Sequence, residues 1–185
     1  MADYNANVAP FINVVFYLTG MYGVDRGDHI HVGLDIATSG GSPLYSMVKG
    51  KIIANEFNSV RGYYIIMKDD ETGIAFLYQH LREASPLDVG DNIDIGDYVG
   101  FEGTSGTSTG IHLHIEMQNL SNRNWYFGND ISYYMNPCEF MGFPNETGIS
   151  IIYNGTPIPP TPTPSSKNSL KWLKIRARKK RIIYW

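Results

Sequence analysis

Residues 61–80, RGYYIIMKDDETGIAFLYQH, place two runs of β-branched and aromatic residues on either side of the turn Asp69-Asp70-Glu71-Thr72-Gly73. The pattern predicts antiparallel strands over 61–68 and 74–80, because such side chains suit a pleated surface and the polar cluster ending in Gly suits the turn. Toward the N-terminus, residues 44–54 (LYSMVKGKIIA) read as a further strand. Toward the C-terminus, residues 86–100 (PLDVGDNIDIGDYVG) set Gly90, Gly96 and Gly100 between apolar pairs, which suits tight turns in a barrel-like or sandwich sheet. Residues 103–110 (GTSGTSTG) predict a flexible loop feeding the alternating run IHLHIEM at 111–117. This loop is not a phosphate cradle: it lacks the lysine of that motif and precedes a strand rather than a helix. No long amphipathic helix interrupts the body, so the fold class is mainly β, built on an antiparallel sheet. The Tyr-, Trp- and Asn-rich stretch after 120 is expected to close the domain at Asn136-Pro137.

A chain of 185 residues can bury one core without disulfide support. We expect one folded domain over 1–150, a Pro/Thr/Ser-rich linker over 151–166 and a basic aromatic tail over 167–185. Charge divides the chain at the same place. Residues 1–166 hold seven of the 15 basic residues and all 18 acidic ones, whereas the last 19 residues hold the other eight basic residues and no acid. Such a split suggests that the tail meets an anionic partner, although basic runs also serve as solvated ends. In the tail, Leu173, Ile175 and Ala177 alternate with Lys174, Arg176 and Arg178, which favours a strand or an extended contact over an amphipathic helix. The single Cys138 excludes an internal disulfide. No Lys or Arg precedes Arg26, and the apolar stretch from Val8 to Leu18 is broken by Pro10 and Asn13, so no secretory signal or membrane span is read there.

The five histidines fall as His29-Ile30-His31, His80 and His112-Leu113-His114. On a strand, residues i and i+2 share a face about 6.7 Å apart, so His112 and His114 can point into one site. His31 and Asp35 pose a different problem, since four extended residues span about 13 Å, too far for two ligands of one ion. The chain must bend between them, and Gly33 is the residue expected to allow it. Imidazole nitrogen and carboxylate oxygen suit Zn²⁺ at about 2.0–2.2 Å, and three protein ligands leave a fourth position for water, as a catalytic site requires. A structural zinc site is disfavoured because closed sites use four ligands, commonly with Cys. Scattered core or surface histidines are the plainer alternative, but two His-x-His pairs are hard to assign to it.

His31-Val32-Gly33-Leu34-Asp35, Tyr78-Gln79-His80-Leu81 and Ser108-Thr109-Gly110-Ile111-His112-Leu113-His114-Ile115-Glu116 resemble, in order and approximate spacing, the three blocks of the lysostaphin-like (LytM-type) zinc metallopeptidases. Gly50, Gly62, Gly90, Gly96, Gly100 and Gly103 fit between the blocks, and the resemblance covers roughly residues 18–140. It implies a barrel-sandwich-hybrid type of β fold with a narrow groove holding the metal. It also implies Zn²⁺ as cofactor, with His31, Asp35 and His114 as ligands and His112 and His80 flanking the reacting water and carbonyl. His29 has no place in that pattern and reads either as a neighbour of the site or, the reading we favour, as a solvated residue. Glu116 shares the strand face of His112 and His114, where it can orient a ligand from behind or simply be an edge-strand charge.

The implied activity is hydrolysis of peptide bonds in the cross-bridge or stem peptide of bacterial peptidoglycan. No HExxH helix supplies a glutamate base, so His112 is assigned as general base and His80 as stabiliser of the oxyanion. Tyr63, Tyr64, Trp125, Tyr126 and Phe127 can line a groove for an extended peptide, though aromatic residues more often serve the core. The tail can contact an anionic wall polymer, a membrane surface or another virion protein; no specific nucleic acid is expected. An enzyme domain starting near Met1 with no visible leader and a short cationic tail is similar to a phage lysin or tail-associated peptidase, which implies an extracellular or virion-associated place at the cell wall; a terminal fragment of a larger multidomain protein would show the same features. The alternative is a non-catalytic peptidoglycan-binding or hydrolase-activating module of the same fold, against which the intact five-residue set argues. A lipoyl- or biotinyl-like carrier, suggested by VGDNIDIGDYVG, fails because no lysine lies between Lys68 and Lys167.

Overall fold

The computed structural model describes residues 1–155. In chain order the strands are β1 (Tyr4–Asn5), β2 (Val15–Gly20), β3 (Leu34–Thr38), β4 (Pro43–Tyr45), β5 (Gly50–Asn58), β6 (Gly62–Asp69), β7 (Ile74–Leu81), β8 (Asn92–Ile93), β9 (Tyr98–Phe101), β10 (Leu113–Asn119) and β11 (Ser150–Ile152). Among the described residues, a single 3-10 turn covers Ile131–Tyr133 and one short α-helix, α1, covers Pro137–Met141. Nine strands form an open sheet in the order β1-β11-β2-β3-β10-β7-β6-β5-β8, and β4 and β9 form a separate two-stranded ribbon. Pairing is antiparallel apart from β1 against β11. The mainly β architecture expected from residues 61–80 is the one observed.

Alternation decides which face does what. Leu113, Ile115 and Met117 of β10, Leu34 and Ile36 of β3, Phe76 and Tyr78 of β7, and Ile65 and Met67 of β6 join one large core. On β6 and β7 the intervening residues Tyr64, Ile66, Ala75 and Leu77 pack into a second, smaller cluster on the opposite face. Both faces of these strands are therefore covered, which explains their near-continuous apolar runs. On β10 and β3 the same alternation sends His114, Glu116 and Asp35 away from the large core. Two neighbouring central strands thus carry polar residues on a face that the rest of the sheet shields.

Three local expectations needed revision. The run 44–54 is not one strand: it breaks after Tyr45, where the Ser46 hydroxyl donates to Val48 O at 2.7 Å and accepts from Val48 N–H at 3.2 Å. Such side-chain bonding to nearby backbone competes with strand pairing. Gly90 and Gly96 do take positive φ in turns, but Gly100 lies inside β9 opposite Leu44. The chain also continues past Asn136-Pro137 through α1 into β11, which pairs with β2 near the N-terminal edge. Residues 151 and 152 of the segment expected as linker belong to β11 and 153–155 follow it; residues 156–166 and the basic tail at 167–185 lie outside the described residues. No helix among the described residues is long and apolar enough to cross a membrane.

Cys138 sits in α1, 1% exposed, and burial followed by the charge of Glu139 pushes its thiol up to about 12. Alkylation by iodoacetamide at pH 8 is expected to run on the order of 10²-fold or more slower in the folded chain than in urea, since only thiolate reacts. Equal rates would show that the α1 packing is wrong.

Candidate active site

The first candidate ligand is carried by a hairpin. Gly23 N–H donates to His31 O at 2.8 Å, His31 N–H to Val24 O at 2.8 Å, and Arg26 N–H to His29 O at 2.9 Å. The His31 side chain is 3% exposed, and its Nδ1 lies 2.6 Å from Met21 O. That carbonyl takes the Nδ1 proton, so Nε2 is the bare nitrogen turned toward the site. Asp35 of β3 and His114 of β10 are register partners across the sheet, which sets their side chains side by side on one face.

Gly33 works differently from its expected role as a flexible bend. It is not among the glycines with positive φ. A Cβ placed there would lie 2.3 Å from His114 Nε2 and 2.6 Å from Ile115 O. The residue is glycine because β10 and the His114 ring pass directly against its backbone. Gly33→Ala is expected to cost about 1–3 kcal/mol of folding stability, as overpacking does. An unchanged urea midpoint at unchanged slope would refute the close approach.

Three donor atoms converge. His31 Nε2 is 3.1 Å from His114 Nδ1 and 3.2 Å from Asp35 Oδ1, and His114 Nδ1 is 2.7 Å from Asp35 Oδ1. A tetrahedral ion with bonds of about 2.0–2.1 Å separates its ligand atoms by about 3.3 Å. Two nitrogens and one oxygen at these separations fit Zn²⁺ without rearrangement of the backbone. Behind them, Glu116 is 2% exposed, with Oε1 3.4 Å from His114 Nε2. It stands on a central strand, so the edge-charge reading of Glu116 is excluded, and it is placed to hold the His114 ring.

The electrostatics reflect that crowding. Burial raises the Asp35 carboxyl, but hydrogen bonds and charge from His114 and His31 outweigh it and hold Asp35 far below the usual carboxylate range. Burial pulls the His114 imidazolium down, yet its contacts with Asp35 and Glu116 prevail and lift it to about 9 in the metal-free chain. A proton therefore occupies the site where a metal would bind at neutral pH, and metal binding must displace it.

His80 and His112 stand beside the three donors. His112 precedes β10, bridges to Gly103, and keeps the face of His114 as its spacing predicts. Its Nδ1 lies 2.9 Å from Gly110 O and its Nε2 3.8 Å from Asp35 Oδ1. Plain alternation after Phe76 and Tyr78 would instead send His80 into the large core. Two steps of β6, Tyr63 to Ile65, oppose three of β7, Leu81 to Tyr78, and this bulge holds His80 at a φ of 61°. The ring then lies 4.9 Å from that of His112, with Nδ1 2.8 Å from Ser105 O. Burial, reinforced by the two neighbouring imidazoles, pulls His80 down to about 4, so it is neutral.

His29 stays outside the group, paired with Asp28 at 2.7 Å. Arg26, which no motif pointed to, reaches Asp35 Oδ2 at 2.7 Å. Of the aromatic residues, Tyr64, Trp125 and Phe127 line a cavity of about 450 Å³ over β5 and β6, on the sheet face that also carries His114. Tyr126 stacks on Tyr133 at 4.1 Å, and Tyr63 packs on Phe57 at 4.9 Å, so neither of those two faces the cavity.

The profile of peptidase family M23 matches residues 29–126, slightly more than half of the chain and the whole span from His29 to the end of the HxH strand. The chain is 35% identical over 89 residues to the DD-carboxypeptidase/endopeptidase Mpg of Neisseria meningitidis, covering 47% of this chain and 20% of that protein. It is 29% identical over 87 residues to the peptidoglycan DD-endopeptidase ShyA of Vibrio cholerae, covering 47% of this chain and 20% of that one. The chain thus spans about a fifth of the length of these curated relatives. The solved catalytic domain of lysostaphin, an antimicrobial peptidase of Staphylococcus simulans, superposes with a TM-score of 0.54 at 26% identity, covering 68% of this chain and 90% of that one. With the sheet, the His/Asp/His group and the profile in agreement, the chain belongs to peptidase family M23.

Proposed function

We propose that this protein is a zinc-dependent endopeptidase that hydrolyses peptide bonds in the cross-bridge or stem peptide of bacterial peptidoglycan. The observation that carries the reading is the convergence of His31 Nε2, Asp35 Oδ1 and His114 Nδ1 within 3.2 Å of one another, flanked by two further imidazoles. The names of the relatives support the substrate class.

When bound by His31, Asp35 and His114, zinc supplies Lewis acidity and a water acidic enough to ionise near neutral pH. The chain's own residues do the rest. Gly110 O holds the Nδ1 proton of His112, so its Nε2 lone pair faces the donor group and serves as the general base. Ser105 O fixes His80 in the same tautomer. Its Nε2 becomes a donor to the carbonyl oxygen only after it has received a proton. Glu116 and Met21 O keep the two ligand rings from turning.

The place of action is the bacterial cell wall, reached from outside the cell or from a virion. The eight basic residues of 167–185 would draw the enzyme to anionic wall polymers or lipid headgroups by charge alone. Digestion of purified walls with different cross-bridge types, followed by mass analysis of the released peptides, tests the proposal. New amino and carboxyl termini within the peptide part are expected, and their position names the bond. Intact walls of every type, with zinc bound, would leave a peptidoglycan-binding module in its place.

A further inference from the structure

Arg26 stands beside the donor group although nothing in the spacing of the motifs singles it out. Its Nη2 donates to Asp35 Oδ2 at 2.7 Å, whereas the other oxygen, Oδ1, is the atom 2.7 Å from His114 Nδ1 and 3.2 Å from His31 Nε2. The two oxygens of one carboxylate face different partners. Room for this contact comes from Gly20, which pairs with Asp35 across β2 and β3 just after a register shift at Leu18/Gly20. A Cβ on Gly20 would lie 2.3 Å from Asp35 Oδ2 and 2.9 Å from Arg26 Nη2. The slot is therefore kept open by the backbone of β2. Arg26 is also part of the hairpin that delivers His31, closed by the bonds of Gly23 with His31 and of His31 with Val24.

We propose that Arg26 is a positioning residue that keeps Asp35 a one-oxygen ligand. A carboxylate can bind a cation through one oxygen or both. Binding through both would occupy coordination space that a three-ligand site leaves for water. The guanidinium is always charged and directional, so it competes for Oδ2 at any working pH. The same bond ties the His31 hairpin to β3 and so sets His31 against Asp35. The Asp35 side chain is 12% exposed and that of Arg26 is 41%, so the pair is only partly screened by water. The inference rests on the zinc peptidase reading.

Its test compares the 185-residue wild-type chain with Arg26→Gln, Arg26→Lys and a control, Asp28→Asn, on the same hairpin but away from Asp35. Zinc affinity is read by competition with a chromophoric chelator, and coordination by the visible spectrum of the Co²⁺-loaded protein. Arg26→Gln is expected to bind zinc about 10–100-fold more weakly, as loss of a partner behind a ligand does. Its cobalt bands should weaken, as they do when a four-coordinate ion gains a ligand. Arg26→Lys should recover part of the affinity through charge without the planar fork. Asp28→Asn should match wild type. Thermal unfolding of the metal-free proteins shows whether each variant is folded; if the Gln variant is not, the Lys variant carries the comparison alone. Wild-type affinity and spectrum in a folded Arg26 variant would overturn the assignment while leaving the peptidase reading intact. A wild type that takes up neither zinc nor cobalt would overturn both.

Discussion

His114→Ala is expected to leave the purified protein without zinc and without measurable wall hydrolysis, while the sheet remains folded. His114 contributes Nδ1 to the donor group, and its ring separates Asp35 from Glu116, with contacts of 2.7 Å and 3.4 Å on its two sides. Removing it leaves one nitrogen and one carboxylate, too few for a tight site, and sets two carboxylates facing one hole. The loss of affinity should exceed the about 100-fold typical of losing a partner behind a ligand. Metal content by mass spectrometry and turbidity loss of wall suspensions measure the two parts. Full zinc occupancy in this variant would remove His114 from the ligand set. The main core should not suffer, because Leu113, Ile115 and Met117 on the other face of β10 are untouched.

His112→Ala is expected to separate binding from chemistry. Zinc should be retained, because His112 Nε2 is 3.8 Å from Asp35 Oδ1 and stands outside the close triplet of donors. Hydrolysis should fall about 10²–10⁴-fold, the range supplied by a positioned general base. The rate is read as release of new amino termini from purified walls, with zinc content measured on the same sample. A larger loss for His80→Ala than for His112→Ala would exchange the roles assigned to the two rings. His80 is neutral, with its Nδ1 proton held by Ser105 O, so it has the same bare nitrogen available for that exchange. Loss of zinc from His112→Ala would instead make His112 a ligand.

The β class and the central hairpin β6–β7 are legible in the one-dimensional pattern, because strand pairing there is local and its side chains alternate between two apolar clusters. The break between β4 and β5 is less so, since a single serine side chain redirects the backbone within a run of good strand formers. Residues that share a motif were also legible: His31 with Asp35, and His112 with His114, lie within four positions of one another. Arg26 was not, because its partner is chosen by a gap at Gly20 on another strand. Glu116 could be placed on the correct face but not behind the correct ring, which depends on how β10 is flanked by β3 and β7.

By itself the sequence determined the donor types, their pairing in short motifs and the face on which His112 and His114 lie, since these follow from period-two alternation and the chemistry of imidazole and carboxylate. Only the tertiary structure decided how those pieces meet. The register of β3 against β10 sets Asp35 beside His114, a bulge in β7 turns His80 away from the core, and the bare backbone of Gly33 lets the His114 ring close on the site. Each of these is a contact between strands distant in the chain, fixed by packing and hydrogen-bond register, and no local propensity encodes it.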